Sequence, residues 1–113
     1  MEKLNANRTI KNLSQMEETV YVYLANVEVG ETFLQMAEDE GFRFPDGELP
    51  SRRAYTELML ISGGNVNYVD SIGKLVFKSD VNIYNNAPFI RVDFKNYING
   101  NEHYIMDSYR FYQ

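Results

Sequence analysis

The sequence predicts an α+β fold, with a mainly antiparallel sheet of about five strands and one principal helix packed on one face. Three observations lead there. Thr19-Val20-Tyr21-Val22-Tyr23-Leu24 is rich in the β-branched and aromatic side chains that suit a pleated surface. Val29, Phe33, Met36 and Ala37 then recur at the spacing of one helical face. The remainder consists of short apolar runs separated by Gly, Asn and Pro turn residues, the pattern of strands joined by tight connections.

Taken in order, residues 1–17 are polar with weak periodicity, and read as a tail or a short docked helix ahead of a single domain spanning 18–113. Thr19–Leu24 is apolar on both alternating faces, as a central strand would be. Asn26 is placed to cap a helix from Val27, Glu28 sits in its first turn where the helix dipole favours a carboxylate, and Gly41 supplies the stop. Phe42-Arg43-Phe44 alternates as a short strand before the Pro45-Asp46-Gly47 turn. Tyr55–Ile61 and Val66–Val69 flank Gly63-Gly64-Asn65 as a hairpin. The run Ile72–Phe77 fits a strand and a short helix equally well, because a brief apolar run does not separate the two. Val81–Pro88 reads as loop, and Phe89–Tyr97 as a strand with a twist or bulge. Tyr104–Tyr112 reads as a last aromatic strand returning on Phe89–Tyr97 after the turn at Asn99-Gly100-Asn101.

With 113 residues the chain has the size of one domain, and 44% hydrophobic with 14% aromatic residues is globular rather than disordered. There is no cysteine, so disulfides, thiolate zinc sites and cysteine nucleophiles are excluded. Apolar runs are too short for a membrane span, and the N-terminal apolar residues do not join into a signal-peptide core, so a soluble cytoplasmic protein is expected. A net charge of −5 argues against sequence-independent nucleic-acid binding, which needs clustered Lys and Arg. The charge is uneven: residues 17–48 carry nine acids and one base, whereas the rest is mildly basic. Such a segment is most simply the solvated face of a helix, and it also favours a basic partner.

Catalytic chemistry finds little support. His103 is the only histidine, and it lies beside a turn without the partners of a triad or a metal cluster. Gly63-Gly64 lacks the remainder of either phosphate-binding motif, and Asp39, Glu40, Asp46 and Glu48 lack the alternating ligands of a calcium loop. Neither a metal nor a cofactor is called for. The segment from Pro45 to Arg53 combines a restrained backbone with charge: Arg52 or Arg53 offers a guanidinium fork to a carboxylate or phosphate, or pairs internally with Asp46 or Glu48. The nine tyrosines gather partly at the C-terminus, where Tyr109 and Tyr112 are candidates for interface contact.

Thr19–Leu24, Phe33-Leu34, Ala37-Glu38, Glu40–Phe44, Asp46-Gly47, Pro50 and Arg52, followed by Asn67-Tyr68-Val69, Gly73 and Arg91-Val92-Asp93, together resemble a family of small uncharacterised proteins from phages and mobile elements of gut Firmicutes. The resemblance implies an accessory gene product, a class in which small acidic binders that disable host defence proteins, RNA-guided nucleases included, are common. It implies no catalytic residue. The functional expectation is a non-enzymatic protein that binds a host macromolecule, most simply a host protein, through Glu28, Glu31, Glu38, Asp39, Tyr109 and Tyr112. The alternative is a small-molecule or signalling-nucleotide binder that uses Asp46, Glu48, Arg52 and Arg53.

Overall fold

The computed structural model describes residues 8–17, 19–79, 83, 84 and 87–106. Its centre is strand β1 (Thr19–Tyr23), whose consecutive residues Tyr21 and Val22 are both buried, as a strand covered on both faces requires. On one side β1 pairs antiparallel with β2 (Leu58–Ser62), which continues through a turn at Gly63 (φ 61°) into β3 (Asn65–Tyr68). On the other side β1 pairs parallel with β5 (Ala87–Asp93), Thr19 opposite Phe89 and Tyr23 opposite Asp93. The outer edge of β5 takes two short antiparallel partners, β4 (Ile83–Tyr84) and β6 (Ile105–Met106), and the order along the sheet is β3-β2-β1-β5-β4. The fold is therefore α+β with a mainly antiparallel sheet, as expected, the central β1–β5 pair being its one parallel pairing among the described strands.

Four helices, rather than one principal helix, cover this sheet among the described residues. The longest is α2 (Val27–Asp39), capped by the Asn26 side chain accepting the Val29 N–H at 3.0 Å, and followed by Gly41 at φ 94°. It buries Val29, Phe33, Leu34 and Ala37. Helix α1 (Ile10–Ser14) adds Ile10 and Leu13, both fully buried, and α4 (Phe94–Ile98) adds Phe94, set edge-on to Phe33 at 5.1 Å. These three helices share one core with Val20, Val22, Met59, Ile61 and Val92 of the sheet. A second, smaller core occupies the reverse face. There α3 (Ser71–Phe77) sets Phe77 beside Tyr21, whose ring stacks between Phe77 and Phe89 at 5.9 and 4.8 Å. The sheet thus lies between two layers, so the expected single covered face is also corrected.

The remaining differences have local causes. Ile72–Phe77 is helical because the Asp70 side chain accepts the Gly73 N–H at 2.7 Å and opens α3. The expected strand Phe89–Tyr97 stops at Asp93, whose carboxylate accepts the Asn96 N–H and starts α4. Phe42–Phe44 forms only a parallel bridge of Arg43 to Asn65. Of the expected last strand, only Ile105–Met106 pairs among the described residues, opposite Arg91 and Val92. Its continuation through Tyr109 and Tyr112 lies outside them.

Candidate functional site

A cleft of about 430 Å³ opens between α2 and the chain that follows the 3-10 turn Pro50–Arg52. Glu31, Leu34 and Gln35 line it from the helix, and Ser51, Arg53, Ala54 and Tyr55 from the facing segment. Glu31 and Gln35 are one helical turn apart, hence neighbours on one stripe, while Leu34 turns inward to the core. The volume falls in the ~300–1,000 Å³ range of ligand-sized sites.

The facing wall is held at three consecutive residues. Arg53 forms an ion pair with Asp46, and its guanidinium lies 4.5 Å over the Phe44 ring. The carbonyl of Ala54 accepts a 2.6 Å hydrogen bond from the Tyr68 hydroxyl. Tyr55 rests directly on Gly30: a Cβ at that position would stand 2.3 Å from the Tyr55 ring, so only glycine admits this approach. The Pro50–Arg52 turn is tied to α2 by Glu38, whose carboxylate accepts the Ser51 N–H at 2.9 Å. The Ser51 hydroxyl and that N–H together hold the Glu38 carboxyl below its ordinary pKa, with Arg43 and Arg52 adding attraction. Asp46 is held low in the same way, first by the Glu48 N–H and then by Arg53.

The residues singled out in the sequence therefore divide into two groups. Glu38, Asp39 and Asp46 are engaged internally, Asp39 through a 2.9 Å hydrogen bond from Gln35 Nε2. Their neighbour Glu40 accepts the N–H groups of Ile10 and Lys11 at 3.0 and 2.8 Å, closing the start of α1. The side chains of Glu28 and Glu31 are exposed, and their carboxylates form no hydrogen bond or ion pair with another described residue. Glu31 borders the cleft, and Glu28 borders a smaller recess of about 210 Å³ shared with Thr32, Lys95 and Asn99. Arg52 is exposed on the turn, and Glu48 contributes its backbone to the loop. Tyr109 and Tyr112 lie outside the described residues. No family model, curated protein or solved structure matches the chain. Among the described residues there is also no group of three or more His, Asp or Glu placed to hold a metal ion, and no helix long and apolar enough to cross a membrane.

Leu34, Gln35, Ser51, Ala54 and Tyr55 are the cleft-lining residues that sequence reasoning passed over as site residues. One signal was present: Gly30 interrupts an otherwise regular helical repeat, and glycine inside a helix marks either a local weakness or a close approach by another part of the chain.

Proposed function

We propose that the protein is a non-enzymatic accessory protein that binds a host macromolecule, with the outward stripe of α2 and its adjoining cleft as the contact site. One observation carries the reading: Glu28 and Glu31 keep carboxylates that nothing in the described fold uses, while the acids around them are engaged internally. Unpaired surface charge contributes little to folding, but it steers and orients a charged partner. The resemblance to small phage and mobile-element proteins is consistent with this role, and a bacterial defence protein such as an RNA-guided nuclease is a partner to try first. Charge reversal at both positions, Glu28→Lys with Glu31→Lys, is expected to abolish capture of the host partner at physiological salt. Reversal at Asp39, already engaged by Gln35, should weaken capture far less. Equal loss from both variants, or none from either, would refute the reading.

The volume of the cleft favours a second reading, in which residues 46–53 help sequester a small molecule or signalling nucleotide. A thermal-shift screen against nucleotides tests it, because a ligand at about 100 times its dissociation constant stabilises by roughly 2.7 kcal/mol. The pairing of Arg53 with Asp46 weighs against a phosphate ligand, which would have to displace that carboxylate.

A further inference from the structure

We infer that the cleft between α2 and Ser51–Tyr55 receives an arginine side chain from the bound partner, an assignment that rests on the binding reading above. The lining has the two-part character of such an occupant. Leu34, Ala54 and the Tyr55 ring supply the apolar and aromatic surface along which a methylene stem and a guanidinium plane lie favourably. At the helix side stand acceptors: the Glu31 carboxylate, and Oε1 of Gln35, whose Nε2 is already committed to Asp39. A head group made only of donors completes that set, and guanidinium is the donor-only group that pairs a carboxylate through two parallel bonds. The one cation in the lining does not oppose it. Arg53 is neutralised by Asp46 and held over Phe44, so the open charge of the cleft is negative.

The test uses the full chain, labelled with 15N, titrated with short glycine peptides that carry a single arginine, lysine or glutamate. The arginine peptide is expected to bind with a dissociation constant of about 1 mM, weakening as salt is raised. It should shift the amides of Glu31, Gln35, Ala54 and Tyr55. Glu31→Gln should weaken binding at least about fivefold, the loss expected when a charge-assisted hydrogen bond becomes a neutral one. Ala54→Trp, a change at an exposed position, should fill the cleft and abolish binding while thermal stability is retained. Tighter binding of the glutamate peptide, equal binding of the lysine peptide, or unchanged affinity in Glu31→Gln would each overturn the assignment. If a host partner is captured and lost on charge reversal while no arginine peptide binds, the assignment fails and the binding reading stands. Peptide binding at the cleft with no macromolecular partner would do the reverse.

Discussion

Arg91 is the one charged side chain among the described residues that lies in the interior, 1% exposed. Burying a cation is costly unless its donors are met. Here Nε donates to the Phe77 carbonyl at 2.8 Å, and Nη2 to the carbonyls of Val76 and Ser79 at 3.1 and 2.9 Å, so the guanidinium meets the carbonyls gathered at the end of α3. Nothing near Arg91 in the chain shows that α3 covers its face of the sheet. Tyr97 is the second residue whose setting is remote from its neighbours in sequence. Its hydroxyl donates to the Thr9 carbonyl at 2.8 Å, and its pKa is pushed up to about 12, chiefly by burial and next by Tyr104, against the opposing pull of Arg8. The folded protein therefore holds this proton to higher pH than the unfolded chain does. The corresponding stability is complete below pH 10.0, the ordinary value, and is lost as pH rises towards about 12. Tyr97→Phe removes this loss together with the hydrogen bond. Urea midpoints measured from pH 9 to about 12 should show the variant less stable at the lower end, with the gap closing as pH rises; a constant gap would contradict the account.

At the level of elements, α2 and the β2–β3 hairpin were legible because their signals are local: Asn26 and Gly41 bracket the helix, and Gly63 marks the turn. Strand β5 and helix α4 were merged, since Phe89, Val92 and Phe94 are apolar under either periodicity and the deciding feature is the Asp93 cap. The same was true of α3, where Asp70 decided between two equal readings. The contact between α2 and Tyr55 was illegible for a different reason: one glycine announces a neighbour without naming it. Gly30→Ala tests this contact through two opposed effects. Alanine improves helix propensity by about 1 kcal/mol, but the ring 2.3 Å away must move, and overpacking of this kind costs about 1–3 kcal/mol. A net destabilisation of about 1 kcal/mol in chemical denaturation is expected, with loss of the native Tyr55 environment in NMR spectra. Gly64→Ala, where an added Cβ meets nothing within 4 Å, is the control and should change stability by less than about 0.5 kcal/mol.

Across the whole molecule, the polar N-terminal stretch is fastened from several directions. Glu40 receives two N–H groups of α1, Ile10 and Leu13 enter the core, and the Arg8 guanidinium lies 5.2 and 4.7 Å from the Tyr97 and Tyr104 rings. In the sequence only the weak periodicity of residues 1–17 hinted at this, as a tail or a short docked helix; the acceptor, Glu40, read as one of several surface acids. Glu40→Ala should loosen α1 first. Hydrogen exchange of the Ile10–Ser14 amides is expected to accelerate about tenfold or less, the effect of losing roughly 1 kcal/mol, while β1 and β2 amides keep their protection. Uniform acceleration would show instead that α1 is inseparable from the cooperative unit.

The pairing of β1 with β5 joins segments some seventy residues apart, Thr19 lying opposite Phe89, and this has a consequence for synthesis on the ribosome. Until Phe89–Asp93 has emerged, β1 is left with β2 alone and an open edge whose next partner is still being made. Contacts so distant in sequence are slow to close, and an exposed apolar strand is open to wrong partners in the meantime. The nascent protein therefore completes its central sheet only once β5 has been made, and a chain cut short before β5 lacks the Val92 and Phe94 side chains against which both Phe33 and the β1 valines are packed.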